Sequence, residues 1–139
     1  MLTTTCEIPI RFSEVDSLHV VWHGHYLKFF EDGREAFGKK FDLGYLDIYN
    51  ADRLAVPIVD LQIQYKRPLE YGDTALIEIT FINSAAAKIL FEYKIYSANH
   101  KFLACTGSST QVFMNPHTKE LYIVTPPFFE EWKKKHCIF

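Results

Sequence analysis

Hydrophobic and polar positions change period three times along this chain, and each change marks an element. From His25 to about Phe41, the apolar positions Tyr26, Phe29, Phe30, Gly33, Ala36, Phe37 and Phe41 recur at three- and four-residue steps. That spacing gathers them on one broad face of a helix, while Lys28, Glu31, Asp32, Arg34 and Glu35 fill the other side. Gly44 is read as the stop, and Asn50–Arg53 as a polar link. Gly33 within the apolar face predicts close backbone packing against something flat, such as a sheet.

Elsewhere the period is two. TTTCEIPIRFS at 3–13 reads as a first strand. After the link, Val59, Leu61, Ile63 and Tyr65 alternate with Asp60, Gln62, Gln64 and Lys66. Ala75, Ile77, Ile79 and Phe81 form a third strand, and Ile89, Phe91, Tyr93 and Ile95 a fourth. FLACTGSSTQVFM, ending at Met114, supplies the fifth. Tyr71-Gly72-Asp73, Asn83-Ser84 and Asn99-His100-Lys101 are turn signals between them. Successive strands on short turns favour antiparallel pairing. In the tail, Thr125 is placed to cap a short helix with prolines in its first turn and lysines near its end. One long aromatic helix needs a sheet to cover it, so the class is α+β, a single domain over 1–139. A sheet with one face covered by its own helix leaves surface for a partner, which predicts self-association.

Composition narrows the function. The 139 residues are 48% hydrophobic and 23% charged, as in one globular domain with a sizeable core. A net charge of −2 argues against a nucleic-acid binder. No run of about 18 apolar residues is present to span a bilayer, and no secretory signal is visible at MLTTTCEIPI. Cys6, Cys105 and Cys137 form no CxxC pair, which fits a reducing cytoplasm rather than a disulfide framework, and Cys6 and Cys105 are read as small core residues inside strands.

The chemistry concentrates before the helix, in EVDSLHVVWHGHYLKFF. Amides opening a helix lack partners and carry the positive end of its dipole, so they can hold a developing oxyanion. Asp16 in the same loop offers a carboxylate as nucleophile or base. Val20, Val21 and Trp22 supply apolar surface that strengthens local electrostatics. Three readings stay open on the residues alone: helix capping, a catalytic loop, and a metal site built from His19, His23, His25 and Asp16. No second ligand cluster supports the metal, and no metal or cofactor is expected. Ser108, Ser109 and Thr110 lack a Gly-x-Ser-x-Gly elbow and are read as strand hydroxyls. His100, His117 and His136 are read as surface residues.

The segment from Asp16 to Glu31 resembles the 4-hydroxybenzoyl-CoA thioesterase-like branch of the hotdog superfamily, whose motif is Asp-x-x-Gly-x-Val-x-(His or Tyr)-x-Asn-Tyr before an aromatic helix. Asp16, Val21, His23 and Tyr26 fall in register, and YKRPLEYGD at 65–73 resembles the family's strand-turn segment. The resemblance implies a hotdog fold, one long helix wrapped by a curved antiparallel sheet, and an acyl-CoA (or acyl carrier protein) thioesterase. Asp16 and His23 would be catalytic, with the His23 amide polarising the carbonyl and its side chain a candidate acid toward the thiolate. Val21, Trp22, His25 and Tyr26 would contact substrate in a site shared between subunits of a dimer or tetramer. Coenzyme A enters only as part of the substrate, and Lys66, Arg67 and Lys88 are candidates for its phosphates, against the competing role of edge lysines that deter aggregation. His19 replaces the family's glycine and His25 its asparagine. The alternatives are a hotdog dehydratase acting on 3-hydroxyacyl thioesters and a non-catalytic acyl-CoA-binding module.

Overall fold

The computed structural model describes residues 1–139. Five strands, β1 (Thr3–Pro9), β2 (Ile58–Tyr65), β3 (Thr74–Ile82), β4 (Lys88–Ser97) and β5 (Leu103–Val112), form one antiparallel sheet in the order β1-β3-β4-β5-β2. Helix α1 (Tyr26–Phe41) lies across one face. Phe29, Phe30 and Phe37, all without solvent exposure, meet the inward row Ala75, Ile77, Ile79, Phe91, Tyr93 and Ile95. Gly33 lets the helix backbone approach β3, since a Cβ there would stand 3.0 Å from Ile77 Cγ2. The expected α+β layering, with a short C-terminal helix, is what the chain adopts.

Three expectations need correction. Helix α1 ends at Phe41, as expected, but Gly44 is not its stop: Asp42 turns left-handed at φ 57° and returns its N–H to Gly38. Gly44 instead opens α2 (Tyr45–Asp52), its amide held by the Asp47 carboxylate at 3.0 Å. This helix includes most of the expected polar link. It was illegible because it buries only Ile48, and one buried residue makes no period. At the tail, α3 (Pro127–Lys135) has Pro126 rather than Thr125 at its N-cap. It closes the end of the core with Phe129 and Trp132, whose indole donates to Phe41 O at 2.7 Å.

The third correction concerns pairing. β2 does not join β3, although only eight residues separate them. It pairs with β5 at the sheet edge, and residues 66–73 cross the end of the sheet to reach β3 on the other side. The crossing matters for the site, because it passes beneath the loop before α1.

The end of that crossing is tied down by Asp73, which is buried. Its carboxylate accepts Ser97 Oγ at 2.5 Å, Thr74 N–H at 2.7 Å and Asn99 N–H at 3.2 Å. Burial pushes its pKa up, but these hydrogen bonds and the nearby His100 outweigh burial and leave it below the usual carboxylate value. A lowered folded pKa means the unfolded state binds the proton more readily. The Asp73 contribution is therefore complete above about pH 4 and lost as pH falls through the folded value. Replacement by alanine is expected to cost about 2–3 kcal/mol at pH 7 and less at pH 3, read from urea unfolding at the two pH values. An equal cost at both would contradict the assignment.

Candidate active site

The loop from Glu14 to His25 is folded by its own backbone and then pinned to the crossing segment. Within it, Asp16 N–H donates to Val20 O at 2.9 Å, His19 N–H to Asp16 O at 3.0 Å, and Trp22 N–H to Glu14 O at 3.0 Å. Against the crossing, Val21 N–H donates to Leu69 O at 2.8 Å, and Leu69 N–H to the Tyr26 hydroxyl at 3.1 Å. Val20 bridges Glu70, and Tyr71 N–H reaches His19 O at 3.3 Å. The two motif segments, 16–26 and 65–73, thus form one unit.

His19 stands where the family motif has glycine, and it keeps the backbone that glycine would favour, at φ 65°. A side chain in this region costs about 1–2 kcal/mol. Replacing His19 by glycine is expected to raise stability by about 0.5–1 kcal/mol, part of the relief being offset by the looser unfolded chain. Urea denaturation measures it, and a loss of stability would contradict the strain.

Asp16 is half-buried, and its Oδ1 accepts Leu18 N–H at 2.8 Å. Trp22 is exposed, and its ring covers Gly24 so closely that a Cβ there would stand 2.2 Å from it. Residues 23–25 make a single 3-10 turn leading into α1. The amides of His23 and Gly24, at the mouth of this turn, donate to no acceptor in the chain. They are the free donors that a helix start provides.

A cleft of about 230 Å³ opens beside this turn. Val21, His23 and Tyr26 line it from the loop and helix, Tyr65 from the edge strand, Lys66, Arg67 and Pro68 from the crossing, and Ala104 from β5. Arg67 is held over the Phe102 ring, its guanidinium carbon 4.2 Å from the centroid. Tyr65 Oη donates to His23 O at 2.7 Å. Below lies Cys105, whose thiol burial pushes up to about 12, so it stays protonated and offers no thiolate nucleophile.

The structure thus brings Val21, His23, Tyr26, Lys66 and Arg67 around one cleft. It separates others. The Asp16 side chain is not among the residues lining that cleft in its own chain. His25, expected to contact substrate, turns to Glu14: Nε2 lies 2.6 Å from Oε2, both side chains about one-eighth exposed at 13% and 12%. The other Glu14 oxygen accepts Arg11 N–H at 2.6 Å, so the pair clamps the two ends of the loop. Lys88 pairs with Val112, while Lys66 and Arg67 donate to Ala104 at the opposite end of β5. Eight strand steps, about 26 Å, part them, so Lys88 does not join the cation pair within one chain. Sequence reasoning missed Glu14, Gly24 and the Tyr65 hydroxyl. Gly24 alone left a trace, as a glycine at a helix mouth beside a large aromatic residue.

The model of the thioesterase-like superfamily matches residues 10–135. YneP of Bacillus subtilis (strain 168), whose name gives acyl-CoA thioesterase as a provisional activity, is 36% identical over 91 residues, which are 66% of this chain and 65% of that protein. The DHNA-CoA thioesterase of Staphylococcus aureus superposes with a TM-score of 0.86 at 24% identity, covering 99% of this chain and 92% of that one. 4-Hydroxybenzoyl CoA thioesterase from Pseudomonas sp. strain CBS-3 gives 0.82 at 16% identity, over 94% and 98% of the two chains. An aspartate-to-asparagine mutant of a 4-hydroxybenzoyl CoA thioesterase, complexed with 4-hydroxybenzoyl CoA, gives 0.81 at 15% identity over 94% and 97%. The hotdog layering, the loop-helix motif in register and a family match across nearly the whole chain lead to one assignment: this protein belongs to the thioesterase-like superfamily.

Proposed function

We propose that this protein hydrolyses acyl-CoA thioesters, with the cleft beside His23 as the place where the thioester binds. Thioester hydrolysis is the enzyme class of the superfamily, and the names of the relatives carry acyl-CoA substrates. The observation that carries the reading is the pair of unpartnered amides, His23 and Gly24, at the mouth of a cleft that also holds two cations. The amides take the carbonyl oxygen as it gains charge. Asp16 supplies the negative oxygen. It attacks the carbonyl carbon and expels coenzyme A thiolate, leaving an anhydride for water to cleave, or it draws a proton from the attacking water. Either route consumes one water and yields a carboxylate and coenzyme A thiol. Lys66 and Arg67 meet the phosphates of the coenzyme, as cations fixed at a cleft rim can. In this reading the His23 side chain, which lines the cleft, protonates the departing thiolate.

A second copy completes the site. Strand β2 is a sheet edge with unpaired backbone groups, and Ile58, Val59 and Tyr65 are exposed along it. Pairing there covers that apolar surface and brings another chain against the cleft, giving the loop of one protomer, Asp16 included, a wall from its partner.

The experiment is a panel of aliphatic and aromatic acyl-CoA thioesters, assayed for liberated thiol, with acyl carrier protein thioesters alongside. Release of free thiol from at least one is expected. Water loss from a 3-hydroxyacyl thioester without thiol release would make the protein a dehydratase, and tight binding of acyl-CoA without any turnover would make it a binding module.

A further inference from the structure

We propose that Tyr65 is a positioning residue for catalysis, which aims and strengthens the Gly24 amide as an oxyanion donor; this rests on the thioesterase reading above. The His23 carbonyl and the Gly24 N–H belong to one planar trans peptide and point in opposite directions. Whatever grips the carbonyl therefore sets the direction of the amide. The grip is the Tyr65 hydroxyl, donating to His23 O at 2.7 Å from a strand 42 residues further along the chain. The neighbouring peptide is held differently: Trp22 O accepts His25 N–H at 2.9 Å, a bond internal to the turn. One of the two free amides is thus aimed by local helical geometry and the other by tertiary contact.

The same bond acts on donor strength. A phenol donating to a carbonyl draws electron density through the peptide and makes its N–H a stronger donor, as linked hydrogen bonds polarise one another. Gly24 has no side chain to shield the peptide, and the Trp22 ring occupies the space where one would be. Tyr65 is itself well placed for the task. Its ring packs edge-on to Tyr26 at 5.4 Å and to His23 at 6.5 Å. Burial first, and the neighbouring Cys105 second, raise its ionisation above that of an ordinary tyrosine, so it remains a donor across any practical assay range.

Two variants and two readouts test this. Tyr65→Phe keeps the ring and its packing, and it is expected to lower kcat about tenfold while KM stays within about twofold, a smaller loss than removal of a direct oxyanion donor. The Gly24 amide 15N resonance is expected to move in the same variant. A fluorotyrosine at position 65, a more acidic phenol with the ring and hydroxyl retained, is expected to restore kcat at least to the parental value. An unmoved Gly24 resonance with kcat within about twofold of the parent overturns the proposal, as does a fluorotyrosine form no faster than Tyr65→Phe. If the parent liberates no thiol from any acyl-CoA, the thioesterase reading fails by itself. The Gly24 resonance then decides alone whether Tyr65 orients that peptide.

Discussion

Asp16→Asn is expected to lose turnover by about a thousandfold or more, with folding and acyl-CoA binding retained. The size follows from the role: a carboxylate that attacks or deprotonates water has no substitute in an amide, and such groups contribute about 10²–10⁴-fold. Retention of the fold follows from the local geometry. Asp16 uses one side-chain oxygen to accept Leu18 N–H, and asparagine keeps an oxygen in that place. The backbone bonds of Asp16, to Val20 O and from His19 N–H, do not involve the side chain. Melting temperature and acyl-CoA affinity near the parental values, beside the lost kcat, would separate chemistry from structure. A variant turning over within a few-fold of the parent would remove Asp16 from the reaction, while a variant that no longer binds acyl-CoA would make it a substrate contact.

Gly107→Ala is expected to destabilise the fold by about 2–4 kcal/mol, at the upper end of overpacking costs. Gly107 sits on β5 where Phe30 of α1 presses onto the sheet. An added Cβ would stand 2.5 and 2.6 Å from two Phe30 ring carbons and 2.7 Å from the backbone oxygen of Gln62. The ring cannot yield, because it is fully buried and stacks on Tyr93 at 4.2 Å between centroids. Nor can the carbonyl, which belongs to the paired strand β2. For a chain of this length the loss corresponds to a fall in Tm of about 6–15 °C, measured by thermal denaturation. A fall of less than about 2 °C would show that α1 rides higher above the sheet than this geometry requires.

The sequence showed β3, β4 and the long helix most clearly because their burial is periodic: Ala75, Ile77, Ile79 and Phe81 alternate, as do Ile89, Phe91, Tyr93 and Ile95, and Phe29, Phe30, Gly33 and Phe37 fall on one helical face. Periodic burial leaves a mark that needs no neighbour to be read. Helix α2 left no such mark, since Ile48 is its only buried residue, and its place became visible only against the rest of the fold. The loop with Asp16 and His23 was legible through its motif, because residues close in sequence stay close in space.

What the sequence alone determined, then, is the five strands, the long helix and the terminal helix, the α+β class and the identity of the loop before the helix. Tertiary structure decided everything that joins distant positions. It sent β2 to the far edge beside β5, passed residues 66–73 under the loop, turned His25 to Glu14 and set Lys88 apart from Lys66 and Arg67. It also brought the Tyr65 hydroxyl to His23 O across 42 positions. Local propensity and period are properties of a short stretch of chain, whereas a hydrogen bond between remote residues depends on how the sheet orders its strands, and no short stretch contains that order.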